Sequence, residues 1–145
     1  MNACATPRWV TGMPATAGTA IGLVSPGITV THRGVAHAFT VLSGHLPPDH
    51  PDSLVNWKAV AGLDGTILLM MAVENASRIA DALVAGGRSP ATPVAVVCDG
   101  TMPGERTVLS TLGDLGADLS AGQVRPPAII VVGDVVAVAH PDHYA

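Results

Sequence analysis

The chain is predicted to fold as an α/β protein, and three features of it carry that expectation. Apolar stretches of strand length recur at Thr66–Ala72, Val94–Cys98 and Ala128–Val138. Segments of helical spacing lie between them, and Gly, Pro, Asp and Asn punctuate both patterns. Helices between strands imply layers of secondary structure with at least some strands paired in parallel.

Residues 1–26 are rich in Ala, Gly, Thr and Pro, with one short helix expected around Ala15–Leu23. His37–Gly44 reads as a strand, because Phe39 and Val41 alternate with Ala38, Thr40 and Leu42. The following loop is stiffened by Pro47, Pro48 and Pro51, and Asp52 or Ser53 is expected to cap a short helix through Trp57–Leu63. Thr66–Ala72 is a continuous apolar run, the mark of a strand covered on both faces. Asn75 is expected to cap a helix whose Ile79, Ala82 and Leu83 share one face and which ends at Gly86-Gly87. Pro93 opens a third strand over Val94–Cys98, closed by Asp99-Gly100. A short strand over Arg106–Leu109, a helix over Leu112–Leu119 and a final strand over Ala128–Val138 complete the reading.

Composition bounds the function. A chain of 145 residues fits one domain, which buries about two-thirds of the surface of its unfolded form. Its hydrophobic share is 48%, its mean hydropathy +0.44, and its charged share 12%, about half the ordinary value of about 25%. Two readings of that surplus stay open. One is a covered apolar interface with a partner subunit or an absent domain; the other is an Ala, Gly and Val bias inherited from a GC-rich genome. A membrane span needs about 20 consecutive apolar residues, and no such run occurs. No secretory signal pattern opens the chain, and Cys4 and Cys98 have no metal spacing, so reduced thiols in the cytoplasm are expected. A net charge of −4 with seven scattered Lys and Arg argues against nucleic acid.

The common catalytic signatures are absent: there is no GxGxxG, no Walker loop, no GxSxG and no HExxH. His45 and His50 on the Pro-rich loop and His140 and His143 in the tail lack the spacing that fixes a coordination shell, so no metal is expected. In an open α/β sheet, ligands gather outside the carboxyl ends of the strands. That makes the turns Met71-Ala72 and Asp99-Gly100-Thr101 the candidate pocket walls, since small residues let a ligand approach the backbone closely. The plainer alternative is that Met71 fills the core and Gly100 only turns the chain, and pattern alone favours it.

Several ordered segments carry a resemblance. Gly27-Ile28-Thr29-Val30-Thr31-His32-Arg33-Gly34 is similar to a GIPVTHRG signature, with Thr29 in place of Pro, and runs on to Ser43-Gly44-His45. Leu69-Met70-Met71-Ala72-Val73 stands where a YMG or LMG motif is found. Asp99-Gly100-Thr101 with Glu105-Arg106 is similar to an (E/D)xGTxxxQR turn, with Glu105 where Gln is common, and residues 127–136 look like PALIVVGEVV. Together these resemble the carboxyl-terminal lobe of the uroporphyrinogen-III C-methyltransferases, tetrapyrrole methylases, over about residues 10–138.

The resemblance implies a mixed sheet of about five strands flanked by helices, with residues 1–26 as a remnant of the amino-terminal lobe and a cofactor-proximal helix, 27–138 as the lobe and 139–145 as a flexible tail. It implies S-adenosylmethionine as cofactor, held by the backbone of Met71 and Gly100 with Ala72 and Thr101 beside them. A third contact is implied at Ala17-Gly18, or at Thr16-Ala17 after a shift of one residue. His32 and Arg33 would face the carboxylates of uroporphyrinogen III, or else serve only to anchor their loop. The family's GAGPGD and GGDP-type loops do not occur, so no catalytic residue is named. In-line methyl transfer at about 3 to 3.5 Å needs both walls of a cleft; the partner expected is a chain supplying the first lobe, which would complete it, or a second copy in a homodimer. The rival readings are a non-catalytic dimerisation or binding remnant and, less supported by any residue, a small unrelated α/β enzyme.

Overall fold

The structure is a computed structural model that describes residues 27–145; the helix expected around Ala15–Leu23 and the Ala17-Gly18 contact lie outside those residues. Five strands form one mixed sheet: β1 (Phe39–Ser43), β2 (Thr66–Met70), β3 (Pro93–Cys98), β4 (Arg106–Thr111) and β5 (Ala128–Val132), in the order β1-β2-β5-β3-β4. β1 and β2 are parallel, whereas β5 runs antiparallel to both of its neighbours, β2 and β3, and β4 is antiparallel to β3. The helices are α1 (Trp57–Ala61), α2 (Ala76–Ala85), α3 (Leu115–Ala121), α4 (Val135–Ala139) and α5 (Pro141–Tyr144).

Successive side chains of a strand point to opposite faces, and both faces of this sheet are covered. Ile67, Leu69, Val94, Val96, Ile130 and Val132 pack with α1, α2 and α3 on one side. Leu68, Ala95, Val97 and Val131 pack on the other with α4 and with Ile28 and Ala36. That explains the unbroken apolar runs, since the central strands are buried along most of their length from both sides. Burying each such aliphatic side chain stabilises the fold by about 1.5–3 kcal/mol. In α2, Ile79 and Leu83 are buried one turn apart, and the helix closes as expected, with the N–H of Gly87 donating to Val84 O and that of Arg88 to Leu83 O, each at 3.0 Å.

Several boundaries differ from expectation. The cap of α1 is Asn56, whose Oδ1 accepts from Ala59 N–H at 3.1 Å, and not Asp52 or Ser53. Asn75 does not cap α2 with its side chain; its Nδ2 donates across to Gly44 O at 2.8 Å. α3 starts at Leu115, because the Leu112 N–H still donates to Thr92 O at 2.9 Å and extends the β3–β4 pairing. The run 128–138 is not one strand: Gly133, at φ 147°, turns the chain, and Val135 and Val136 enter α4. Their β-branched side chains favour strands by propensity, but burial against the second face of the sheet decides the outcome. Residues 139–145, expected as a flexible tail, carry α5, whose Tyr144 hydroxyl lies 2.9 Å from Val94 O and 2.7 Å from Ser110 O.

Candidate functional site

β1, β2 and β3 all point the same way, because β2 and β3 are each antiparallel to the strand between them. Their carboxyl ends therefore share one edge of the sheet. Ser43 is opposite Met70, Met70 is opposite Ile129, and Cys98 is opposite Ala128. The turns Met71-Ala72 and Asp99-Gly100-Thr101 accordingly flank the start of β5, two strand spacings or about 10 Å apart.

Both turns hold unusual backbone. Met71 (φ 53°), Asp99 (φ 50°) and Thr101 (φ 69°) are three of the four described non-glycine residues with positive φ. That region costs an ordinary residue on the order of 1–3 kcal/mol and persists only where its surroundings impose it. Around Met71, Gly44 N–H donates to Met70 O at 2.8 Å, Asn75 N–H to Ala72 O at 3.1 Å, and the Asn75 side chain to Gly44 O. Around Gly100, Asp99 N–H donates to Pro127 O at 3.1 Å and Met102 N–H to Asp99 O at 2.9 Å, while Glu105 Oε2 accepts from Thr101 N–H at 2.6 Å.

Backbone donors and acceptors must be accounted for one by one. No hydrogen bond among the described residues engages the N–H or C=O of Met71 or of Gly100. Met71 is 65% exposed and Ala72 fully buried, so the first turn stands above a sealed floor. The second floor residue is Cys98, whose thiol is pushed up from its ordinary pKa chiefly by burial, with Arg106 opposing and Asp99 adding to the shift. Arg106 is committed elsewhere, donating to Gly122 O at 2.9 Å and Gln123 O at 3.2 Å. The edge thus offers neutral amide groups more than charge. Beside it, Ser43 Oγ and His45 Nδ1 lie 2.8 Å apart.

His32 and Arg33 are not brought to this edge. They stand on a turn closed by the His32–Ala36 bridge and line a hollow of about 380 Å³ with Thr31 and His37. Ala36 also lines a depression of about 510 Å³ with Gly65 and Gly133, at the amino end of β2 and the carboxyl end of β5. That is the opposite edge of the sheet. Among the described residues no group of three or more His, Cys, Asp or Glu is arranged to hold a metal ion, and no helix is long and apolar enough to cross a membrane.

Residues 22–116 match the protein family described as tetrapyrrole (corrin/porphyrin) methylases. The chain belongs to this family. Among tetrapyrrole methylases it is 44% identical over 119 residues to a uroporphyrinogen-III C-methyltransferase of Sinorhizobium sp, covering 79% of this chain and 41% of that protein. It is 39% identical to an S-adenosyl-L-methionine-dependent uroporphyrinogen III methyltransferase of Methanosarcina barkeri, covering 76% and 43%. The chain thus spans less than half the length of these curated relatives. The crystal structure of the Thermus thermophilus uroporphyrin-III C-methyltransferase complexed with S-adenosylhomocysteine superposes with a TM-score of 0.66 at 34% identity, over 81% of this chain and 48% of that one. A cobalt precorrin-4 methyltransferase, at 19% identity and a TM-score of 0.73, shares the fold.

Two residues that shape this edge carry no signal a single sequence makes obvious. Asn75 acts over 31 positions, through Gly44. Glu105 acts over four, and its signal is visible only as the place where Gln is common in the resembling motif.

Proposed function

We propose that this chain binds S-adenosylmethionine along the carboxyl edge of β2 and β3 and serves the methylation of uroporphyrinogen III to precorrin-2, a step toward sirohaem and cobalamin. The observation that carries the reading is the pair of uncommitted backbone sites at Met71 and Gly100 on one edge of the sheet. The edge of an adenine carries both donors and acceptors, and neutral N–H and C=O groups read such an edge without any charged side chain. S-adenosylmethionine, when bound, supplies a methyl group activated on a sulfonium sulfur. The residues of this chain bind and orient: Met71 and Gly100 hold the nucleoside, Ala72 and Thr101 shape the walls, and Asn75 and Glu105 keep both turns in place. The names of the relatives and the S-adenosylhomocysteine in the Thermus structure support the assignment.

His32 and Arg33, whose cations suit carboxylates, sit on the other edge and are left outside the proposed cofactor contacts. The partner is proposed to be a second copy of the chain or a chain carrying the family's first lobe, in the cytoplasm. Titration calorimetry with S-adenosylhomocysteine tests the core of the proposal. A dissociation constant in the micromolar range, about −8 kcal/mol at 1 μM, is expected. No heat at millimolar ligand overturns it and favours a non-catalytic interaction module.

A further inference from the structure

We infer that Glu105 is a positioning residue, whose carboxylate holds the Asp99–Thr101 turn in the conformation that leaves Gly100 as the open donor and acceptor. The inference rests on the reading of that turn as a nucleoside contact. Gly100 is flanked by two residues in the left-handed region, Asp99 at φ 50° and Thr101 at φ 69°. Aspartate tolerates that region but a β-branched threonine rarely enters it, so the turn relaxes at Thr101 unless its bonds hold it. Of those bonds, Asp99 N–H to Pro127 O, Met102 N–H to Asp99 O and Glu105 N–H to Met102 O are all backbone to backbone. The bond from Thr101 N–H to Glu105 Oε2 is the one made by a side chain, and at 2.6 Å it is short.

A carboxylate acceptor makes a shorter and stronger bond to N–H than a neutral acceptor does. Its placement has a second effect. By occupying the Thr101 N–H, Glu105 removes a donor that would otherwise compete with the neighbouring Gly100 N–H for the same ligand atom. Nothing else claims the carboxylate: among the described residues Glu105 forms no ion pair, and the adjacent Arg106 guanidinium is turned toward Gly122 O and Gln123 O. The charge is therefore directed at one amide of the turn.

Two measurements on the wild-type chain, E105Q and E105A decide the matter. The first is hydrogen exchange of the Thr101 amide by NMR without ligand, and the second is the affinity for S-adenosylhomocysteine by calorimetry. In E105A the Thr101 amide is expected to exchange about tenfold faster or more and the affinity to fall about tenfold, as suits the loss of a hydrogen bond to a charged group. E105Q keeps a carbonyl acceptor and is expected to restore both values toward wild type, which a general loss of stability would not do. The inference is overturned if Thr101 exchange in E105A stays within about twofold of wild type. It is equally overturned if exchange rises with affinity unchanged, or if E105Q behaves as E105A does. Should the wild-type chain bind no S-adenosylhomocysteine, the nucleoside reading fails by itself, and the exchange data still judge whether Glu105 holds the turn.

Discussion

Gly44 is the tightest point of the candidate site. A Cβ built there would lie 2.5 Å from Ala72 Cβ and 2.8 Å from Ile79 Cδ1, closer than atoms of a real side chain approach. Glycine therefore lets the end of β1 press against the first turn of the site, where Gly44 O receives the Asn75 amide and Gly44 N–H reaches Met70 O. Gly44→Ala is expected to cost roughly 1–3 kcal/mol through overpacking. A lowered urea midpoint with an unchanged slope checks this, and ligand affinity should fall with it, because Ala72 moves. At this scale the sequence was only half legible. Ser43-Gly44-His45 and Asp99-Gly100-Thr101 stood out as motifs, but the left-handed backbone of Met71 and Thr101 leaves no compositional trace. Neither residue type favours that region, so tertiary bonds impose it.

Among the elements, β2 and α2 were readable because one physical demand dominates each. An all-apolar run with both faces covered becomes a central strand, and Ile79 and Leu83 on one face become a helix. The segment after β5 misled for the converse reason. Val135, Val136 and Val138 carry strand propensity, and the turn at Gly133 together with burial of Val135 and Val136 against the second face of the sheet sends the segment into α4. The docking of α5 depends on Tyr144, a residue whose hydroxyl meets carbonyls of both β3 and β4. Burial lifts its phenol above the ordinary value of 10.0, with Asp118 adding to the shift. The folded pKa thus exceeds the unfolded one, so the stability contributed by the neutral phenol is whole below pH 10 and declines as pH rises through the folded value. Tyr144→Phe is expected to lose about 0.5–1.5 kcal/mol at neutral pH and to show a shallower alkaline decline. Urea midpoints from pH 7 to 11 measure both.

For the whole molecule, the mixed five-stranded sheet was legible through the alternation of strand and helix together with the resemblance, whereas the strand order was not. Nothing in the segment 128–132 itself says that it inserts between β2 and β3. The apolar surplus finds part of its explanation in a sheet covered on both faces. Phe39, Leu54, Leu63, Met71 and Met102 nonetheless remain exposed, and the proposed self-association draws on them. Light scattering at high concentration is expected to give about twice the 14.6 kDa of one chain; a monodisperse particle of single mass would remove the homodimer.

The place of β5 has a consequence for how the chain is made. β2 and β3 are synthesised before β5, yet each lacks that neighbour until residues 128–132 have left the ribosome. The nascent polypeptide carries two unsatisfied strand borders from the completion of β3 until β5 emerges, and closure waits on contacts far apart in sequence, the slow kind to form. β5 is the keystone, and a polypeptide released before it would leave the borders of β2 and β3 open to aggregation.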